Sequence, residues 1–378
     1  MFKILHKKII TLAASVALAT TPLAASFTNS TQTVQASSKS SMRKYVRNVM
    51  AKHHVRGNIL VVKNGKTQTV TYGYGYWGHR INNNNKKIVY PSASLQKVIT
   101  AAMIMQLMEE TKNTSQKFDQ NTYISRWYPQ LKNSSKITVG NLLTHTSGIA
   151  TGNTETNRGI NYSEQNAVNW VISHANATST KEPGKDFIYN NTNYILLAGI
   201  ISKITGKSYA TNLNERIVKK LGLSRTFVAS QVPNNKIKAV SYNWNKHNYK
   251  NGISMKNTVA SQIVGAGNLY TTPSEYYKIQ VALTNGKVLN KTQFYNMTHL
   301  SSRKSSYSGG LYIKKNNKLK LAYGDIKNTH FGTWVQLSND NKNGIVMFLN
   351  QTDNNKNTEK TVGYQILNHI KKNYFSKK

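Results

Sequence analysis

Two hydrophobic patterns follow one another along this chain, and their order constrains its fold more than any other feature. Near the start, "GNILVVKNGKTQTVTYGYGY" (57–76) reads as two strands turning at Asn64-Gly65, residue types that accept the positive φ of a two-residue hairpin. Between about 100 and 290 helical spacing dominates, in "ITVGNLLTHT", "SEQNAVNWVISHA", "TNYILLAGIISKITG" and "PSEYYKIQVALTNG". From about 309 strand patterns return in "GGLYIKK", "LKLAYG", "TWVQLSN" and "GIVMFLNQT", and "EKTVGYQILNHIKKNYF" closes as a helix. Strands at both ends with helices between them predict an α+β fold: one antiparallel sheet from both termini, flanked by helices, with an inserted all-helical lobe. The α/β lobe is expected over about 57–100 and 300–378, and the helical lobe over about 101–299. A short basic helix over 42–54 precedes them, within an N-terminal tail of 37–56.

The first residues carry Lys3, Lys7 and Lys8, an apolar run over 9–19 and then small residues, which is the layout of an export signal. Cleavage is expected after Ala36 rather than Ala25, giving a signal peptide over 1–36 and a secreted protein. The run is about half the ~20 residues that cross a bilayer. With no Cys in the chain, disulfides, thiolate metal sites and lipidation at cysteine are excluded. Charge narrows the partners. The chain has 51 basic and 13 acidic residues, a net +38, and loss of the leader lysines leaves about +35. Such a field concentrates polyanions and makes their binding depend on salt. No nucleic-acid-binding module is present, so an anionic wall polymer or membrane surface fits better than nucleic acid.

Three S-x-x-K matches occur: Ser41/Lys44, Ser94/Lys97 and Ser301/Lys304. The middle one, in "PSASLQKVITAAMIMQLMEE", opens an apolar helix with Ile99, Met103, Ile104 and Leu107 on one stripe. Three residues apart on a helix, Lys97 reaches the Ser94 hydroxyl, and burial beside apolar residues lowers a lysine's pKa enough to make it a base. The bland reading makes Ser94 an N-cap and Lys97 a surface residue. A second group, "PGKDFIYNNTNYILLAGIISKITG", puts Tyr189 and Asn191 just before a long apolar helix. A phenol there can relay a proton, and an amide can hold a substrate carbonyl and the lysine. Tyr249-Lys250-Asn251 has the same spacing without that setting.

Other chemistries lack their residues. There is no G-x-S-x-G or H-E-x-x-H, "TGKS" (205–208) lacks the first glycine of a phosphate loop, and 13 carboxylates offer little to a two-carboxylate glycosidase, Glu182 and Asp186 being nearest Tyr189.

Taken in order, "SASLQKVITAAMIMQLMEE", "ITVGNLLTHTSGI" (137–149), "PGKDFIYNNTNYILLAGIISKITGKSY" and "GAGNLYTTPSEY" (265–276) resemble the successive signatures of the serine β-lactamase and penicillin-binding-protein-like hydrolases over about 43–370. The resemblance implies an acyl-enzyme mechanism with Ser94 as nucleophile, Lys97 as general base, Tyr189 as proton relay and Asn191 as substrate-positioning amide. No metal or organic cofactor is implied. His145 and Ser147, in "LLTHTSGI", fall at a structural turn of that family.

The family's third motif, usually Lys-Thr-Gly or His-x-Gly on a strand of the sheet, is altered here. Gapless alignment puts Asp325-Ile326-Lys327 in its place. A shifted alignment puts His330-Phe331-Gly332 there, with Gly332 and Thr333 opening the "TWVQLSN" strand and offering an oxyanion N–H with that of Ser94. The shifted alignment is adopted, with His330, Gly332 and Thr333 as substrate-binding residues. A weakened cation at this motif favours a substrate whose carboxyl group is already esterified, and the overall look is closest to the teichoic-acid D-alanyl esterase branch. The alternatives kept open are a D-alanyl-D-alanine carboxypeptidase or penicillin-binding protein acting on peptidoglycan stem peptides, a β-lactamase-like enzyme, and a non-catalytic cationic wall-polymer binder.

Overall fold

Asn64 and Gly65 both adopt positive φ, 46° and 77°, and close a two-residue hairpin between β1 (Arg56–Lys63) and β2 (Lys66–Tyr72), with Lys63 facing Lys66. This hairpin pairs with strands from the other end of the chain. The computed structural model describes residues 29–375 apart from 153, 179 and 356, so the apolar run of the expected leader lies outside it. The strands β3 (Leu311–Lys314), β4 (Leu319–Asp325), β5 (Gly332–Ser338) and β6 (Gly344–Thr352) complete a sheet in the order β3-β4-β5-β6-β1-β2. Every neighbouring pair on that path is antiparallel, with β6 of the C-terminal half against β1 of the N-terminal half.

All nine residues of β6 are buried, so both faces of the sheet are covered. Successive strand residues point to opposite faces. Val346 and Phe348 join Leu60 and Val62 in the main apolar core, with Phe348 6.1 Å from Tyr276 on helix α4 (Pro273–Ala282). Helix α5 (Thr358–Phe375) packs on β5 and β6. On α1 (Asn29–Lys52), Tyr45 stacks on His369 of α5 at 3.4 Å. That first helix is longer than the expected 42–54, since no Gly or Pro interrupts its sequence. Two units separate by contact, Met1–Met42 and Arg43–Lys378; the described part of the first is helical, and the second holds both the sheet and the helical segments. Among the described residues no helix is long and apolar enough to cross a membrane.

Two helices of the middle segment position the site. Helix α2 (Lys97–Thr111) is buried nearly all round, at Val98, Ile99, Ala101, Ala102, Met103 and Ile104, so it is a central core helix and not the one-striped helix the spacing predicts. Helix α3 (Asn191–Thr205) packs against it. Sequence reading missed a four-stranded sheet of short segments, Phe227–Val228, Leu269–Thr271, Ile88–Pro91 and Ile237–Lys238. These runs are too short to show alternation. They matter here because Ile88–Pro91 leads directly into Ser94.

Candidate active site

After Pro91 the chain must turn sharply from strand to helix. Ser92 N–H donates to Leu269 O at 2.8 Å, Ala93 takes φ 47°, and a single 3-10 turn, Ala93–Gln96, leads into α2. A positive φ costs an alanine about 1–2 kcal/mol, strain of a kind that collects at functional sites. The turn leaves Ser94 partly exposed while Lys97, one turn on, is fully buried.

Lys97 Nζ lies 2.8 Å from Ser94 Oγ, 2.8 Å from Asn191 Oδ1 and 2.9 Å from Ala266 O. Burial brings its pKa down from 10.5 to about 7, against the opposing pull of Glu155 and Asp325. Near neutrality much of the lysine is therefore an amine. An amine donates two hydrogen bonds, to Asn191 and Ala266, and turns its lone pair to the third contact, the Ser94 hydroxyl.

Asn191 is the first residue of α3, whose N-cap is Asn190, the Asn190 side chain accepting from Thr192 N–H. The Asn191 amide nitrogen donates to Glu155 Oε1 at 2.9 Å and to Thr154 Oγ1 at 3.2 Å, which fixes its oxygen toward Lys97. Glu155 Oε2 accepts from Lys327 N–H at 2.9 Å. This carboxylate has no signal in the sequence. Glu182, an acid nearer Tyr189 along the chain, instead pairs on the surface with Lys185.

Tyr189 is 41% exposed, its phenol is hydrogen-bonded with Ser94, and its ring centroid is 5.0 Å from Lys97 Nζ. Burial raises the phenol's pKa, so it stays protonated and can hand a proton on only as another arrives. His145 packs on this ring with centroids 4.3 Å apart. Its Nδ1 accepts from Asn193 Nδ2 at 2.9 Å and from Asn190 N–H at 3.3 Å, leaving the proton on Nε2. Burial and the Lys97 charge hold its pKa well below the ordinary range, so it is a neutral support under Tyr189. Ser147 donates to Asn193 Oδ1 at 2.6 Å and holds the same loop.

The strand beside Ser94 is β4 and not β5, which corrects the adopted alignment of the third motif. A Cβ added to Gly324 would lie 2.6 Å from Ser94 N, so only glycine allows this approach. Gly332 and Thr333 open the returning arm of the β4-β5 hairpin, in which Gly324 pairs with Thr333 and Asp325 with Gly332, and His330 lies in the connection before it. Thr333 is buried, with its hydroxyl 2.8 Å from Gly324 O and 3.3 Å from Ser92 O, so it braces β4 and the serine turn together. Gly332 lies under Glu359, and His330 lines an adjoining groove. The misplacement has a physical origin: both arms of this hairpin carry a glycine after an aromatic residue, and only pairing shows which one meets the serine. The sequence Ala322-Tyr323-Gly324-Asp325 thus runs past Ser94, with Ala322 two residues before the glycine, where the family's pattern carries a cation.

A cavity of about 380 Å³ opens on Ser94, walled by Tyr189, Tyr307, Tyr312, Tyr323, Gly324 and Asp325. A second, of about 330 Å³, lies on its other side between Thr154, Glu155, Asn191, Asp325 and Lys327. Among the described residues no group of three or more His, Asp or Glu is arranged to hold a metal ion.

A serine in contact with a buried lysine of near-neutral pKa, on the first turn of a core helix beside an antiparallel sheet, defines a serine hydrolase. This chain belongs to the beta-lactamase family, whose model matches residues 42–367. It is similar to the teichoic acid D-alanine hydrolase of Staphylococcus aureus, 27% identical over 83% of this chain and 75% of that protein. It also matches PbpX of Bacillus subtilis, named as a penicillin-binding protein, at 29% identity over 68% of this chain and 62% of that one. Among solved structures, FmtA from Staphylococcus aureus superimposes with a TM-score of 0.69 at 25% identity, covering 87% of this chain and 90% of that one. The D-amino acid amidase of Ochrobactrum anthropi shares the fold, with a TM-score of 0.73 at 20% identity over 89% of this chain and 100% of that one.

Proposed function

We propose that this protein removes D-alanyl groups, as esters, from an anionic polymer of the teichoic acid class through an acyl-enzyme on Ser94. One observation carries the choice of substrate: β4 brings an aspartate to the serine and no cation at the place where the family's pattern carries one, so a free substrate carboxylate would meet Asp325 and Glu155 beside Lys327. The similarity to a teichoic acid D-alanine hydrolase over 83% of the chain supports the same reading. The net charge of +38 favours a polyphosphate partner, and the leader expected over 1–36 favours export to where such polymers lie.

In this reading Ser94 Oγ passes its proton to the neutral Lys97 amine as it attacks the ester carbonyl carbon. The oxygen of the tetrahedral intermediate faces Ser94 N–H, at the helix start beside Gly324. The C–O bond to the polymer then breaks, and the alkoxide takes a proton delivered from Lys97 through the Tyr189 phenol. Water attacks the alanyl-serine ester by the same route reversed, giving up its proton to Lys97 and releasing free D-alanine and the Ser94 hydroxyl.

The test is release of free D-alanine from D-alanylated teichoic acid and, in parallel, from a peptide ending in D-Ala-D-Ala, with Ser94→Ala as blank. Release from the polymer alone is expected. Release from the peptide alone would overturn the substrate assignment, and release from neither would leave a wall-polymer binder.

A further inference from the structure

The chain is strongly basic, yet its reaction centre is not. Of the 13 acidic residues, Glu155, Asp325, Asp353 and Glu359 line the two Ser94 cavities or the groove beside them. Lys314, Lys327 and Lys360 share the same spaces, so the surroundings of the serine carry both signs while the chain as a whole is strongly basic.

The members of this group are not equivalent. Both Glu155 oxygens are taken, by Asn191 Nδ2 and Lys327 N–H, so Glu155 serves the frame of the site. Asp353 Oδ1 holds Asn355 N–H and Thr358 Oγ1. Glu359 lies over Gly332, a strand beyond β4. Asp325 alone borders all three spaces, is exposed, and among the described residues makes no side-chain hydrogen bond or ion pair. It also follows Gly324, the residue against Ser94 N, by one strand step of about 3.3 Å.

We infer that Asp325 is the specificity-determining residue that receives the free α-ammonium of a D-alanyl ester. This rests on the esterase reading and adds the feature of the acyl group that is recognised. The ammonium is attached one carbon from the carbonyl under attack, so with that carbonyl at Ser94 Oγ it falls within reach of the first side chain beyond Gly324. Lys327 borders the second cavity together with Glu155 and Asp325, and its backbone N–H donates to Glu155. An N-acylated D-alanine, as in a peptide, has no charge to offer. A free terminal carboxylate would be repelled.

The probes are D-alanine methyl ester and N-acetyl-D-alanine methyl ester, compared by kcat/KM at one pH in the full-length protein, Asp325→Asn and Asp325→Glu. The ratio between the two esters cancels any change in Lys97, which serves both. The wild type should prefer the free-amine ester by about tenfold or more. Asp325→Asn should lose that preference, mainly through a higher KM for the charged ester, and Asp325→Glu should keep part of it. Hydrolysis of both esters with a ratio unchanged in Asp325→Asn overturns the ammonium assignment and leaves the esterase standing. Hydrolysis of neither by the wild type contradicts the esterase reading itself, and the assignment falls with it.

Discussion

Lys97 Nζ, buried in the core, lies 2.8 Å from Asn191 Oδ1, and the Asn191 amide nitrogen is in turn held by Glu155 Oε1 at 2.9 Å. This chain settles which way the amide points and so where the lysine's lone pair is aimed. An aspartate at 191 would be a charged acceptor in direct contact with the ammonium, favouring the protonated lysine. Asn191→Asp should therefore move the acid limb of the kcat/KM profile upward, above the pKa of about 7 that burial gives Lys97, and lower the rate at pH 7 about tenfold or more. Hydrolysis followed from pH 5 to 9 checks it; an unmoved limb would mean that the lysine is not the titrating base.

Glu155 acts on the same group from further out, raising the pKa that burial lowers. Its charge can be removed while the hydrogen bond from Asn191 is kept. Glu155→Gln should shift the acid limb downward, below about 7, so the relative rate at pH 6 rises against that at pH 8. The two substitutions thus move one limb in opposite directions, a pattern that general loss of fold cannot produce.

Gly324 tests the geometry of the wall. A methyl at that position would come within 2.6 Å of Ser94 N and 2.9 Å of Ser94 Cβ, so either β4 or the serine turn must move. We expect Gly324→Ala to lower kcat/KM by about a hundredfold, since small displacements of reacting groups are costly. The same change at Gly286, where an added Cβ meets nothing within 4 Å, should leave activity unchanged; its φ of 89° makes the cost one of stability alone. Parallel rate and melting measurements separate the two effects.

Lys320 is a second buried lysine, away from the serine, with Nζ on Gln280 Oε1 at 3.1 Å and on Asn341 Oδ1 at 2.5 Å. Burial takes its pKa from 10.5 to about 7, so between those values the unfolded chain binds a proton that the folded one does not. Stability from this residue consequently rises with pH across that window. Lys320→Met removes the titration, and the variant's stability relative to the parent should fall as pH goes from 6 to 10. Urea unfolding at the two pH values checks it, Lys97 cancelling because both proteins carry it. A constant difference would contradict the assigned shift.

Much of this was legible in the sequence because the signals were local. Asn64-Gly65 specifies a hairpin by the φ it tolerates, and the strands at either end declare themselves by β-branched and aromatic runs. Ser94 and Lys97 are one helical turn apart, so their contact follows from the spacing. Asn191 could be placed by its position at a helix start, though its contact with Lys97 joins residues 94 apart. What was illegible depended on pairing. "AYGD" and "HFGT" are both aromatic-glycine steps of one hairpin, and the register that sets Gly324 against Ser94 is a property of the folded sheet. Glu155 comes from a loop with no periodicity, and the Ala266 carbonyl that completes the lysine's contacts is backbone, on which composition is silent. The central position of α2 was missed because its apolar residues, read as one stripe, in fact cover the helix nearly all round.

The central claim is a covalent intermediate on Ser94, and the most direct measurement is the mass of the protein quenched in acid during turnover of a D-alanyl ester, followed by peptide mapping. The account predicts a gain of one alanyl group on the peptide carrying Ser94, formed and lost at the rate of turnover and absent from Ser94→Ala. D-alanine released by the Ser94→Ala protein at the wild-type rate, or rapid turnover with no adduct at the shortest quench times, would contradict it.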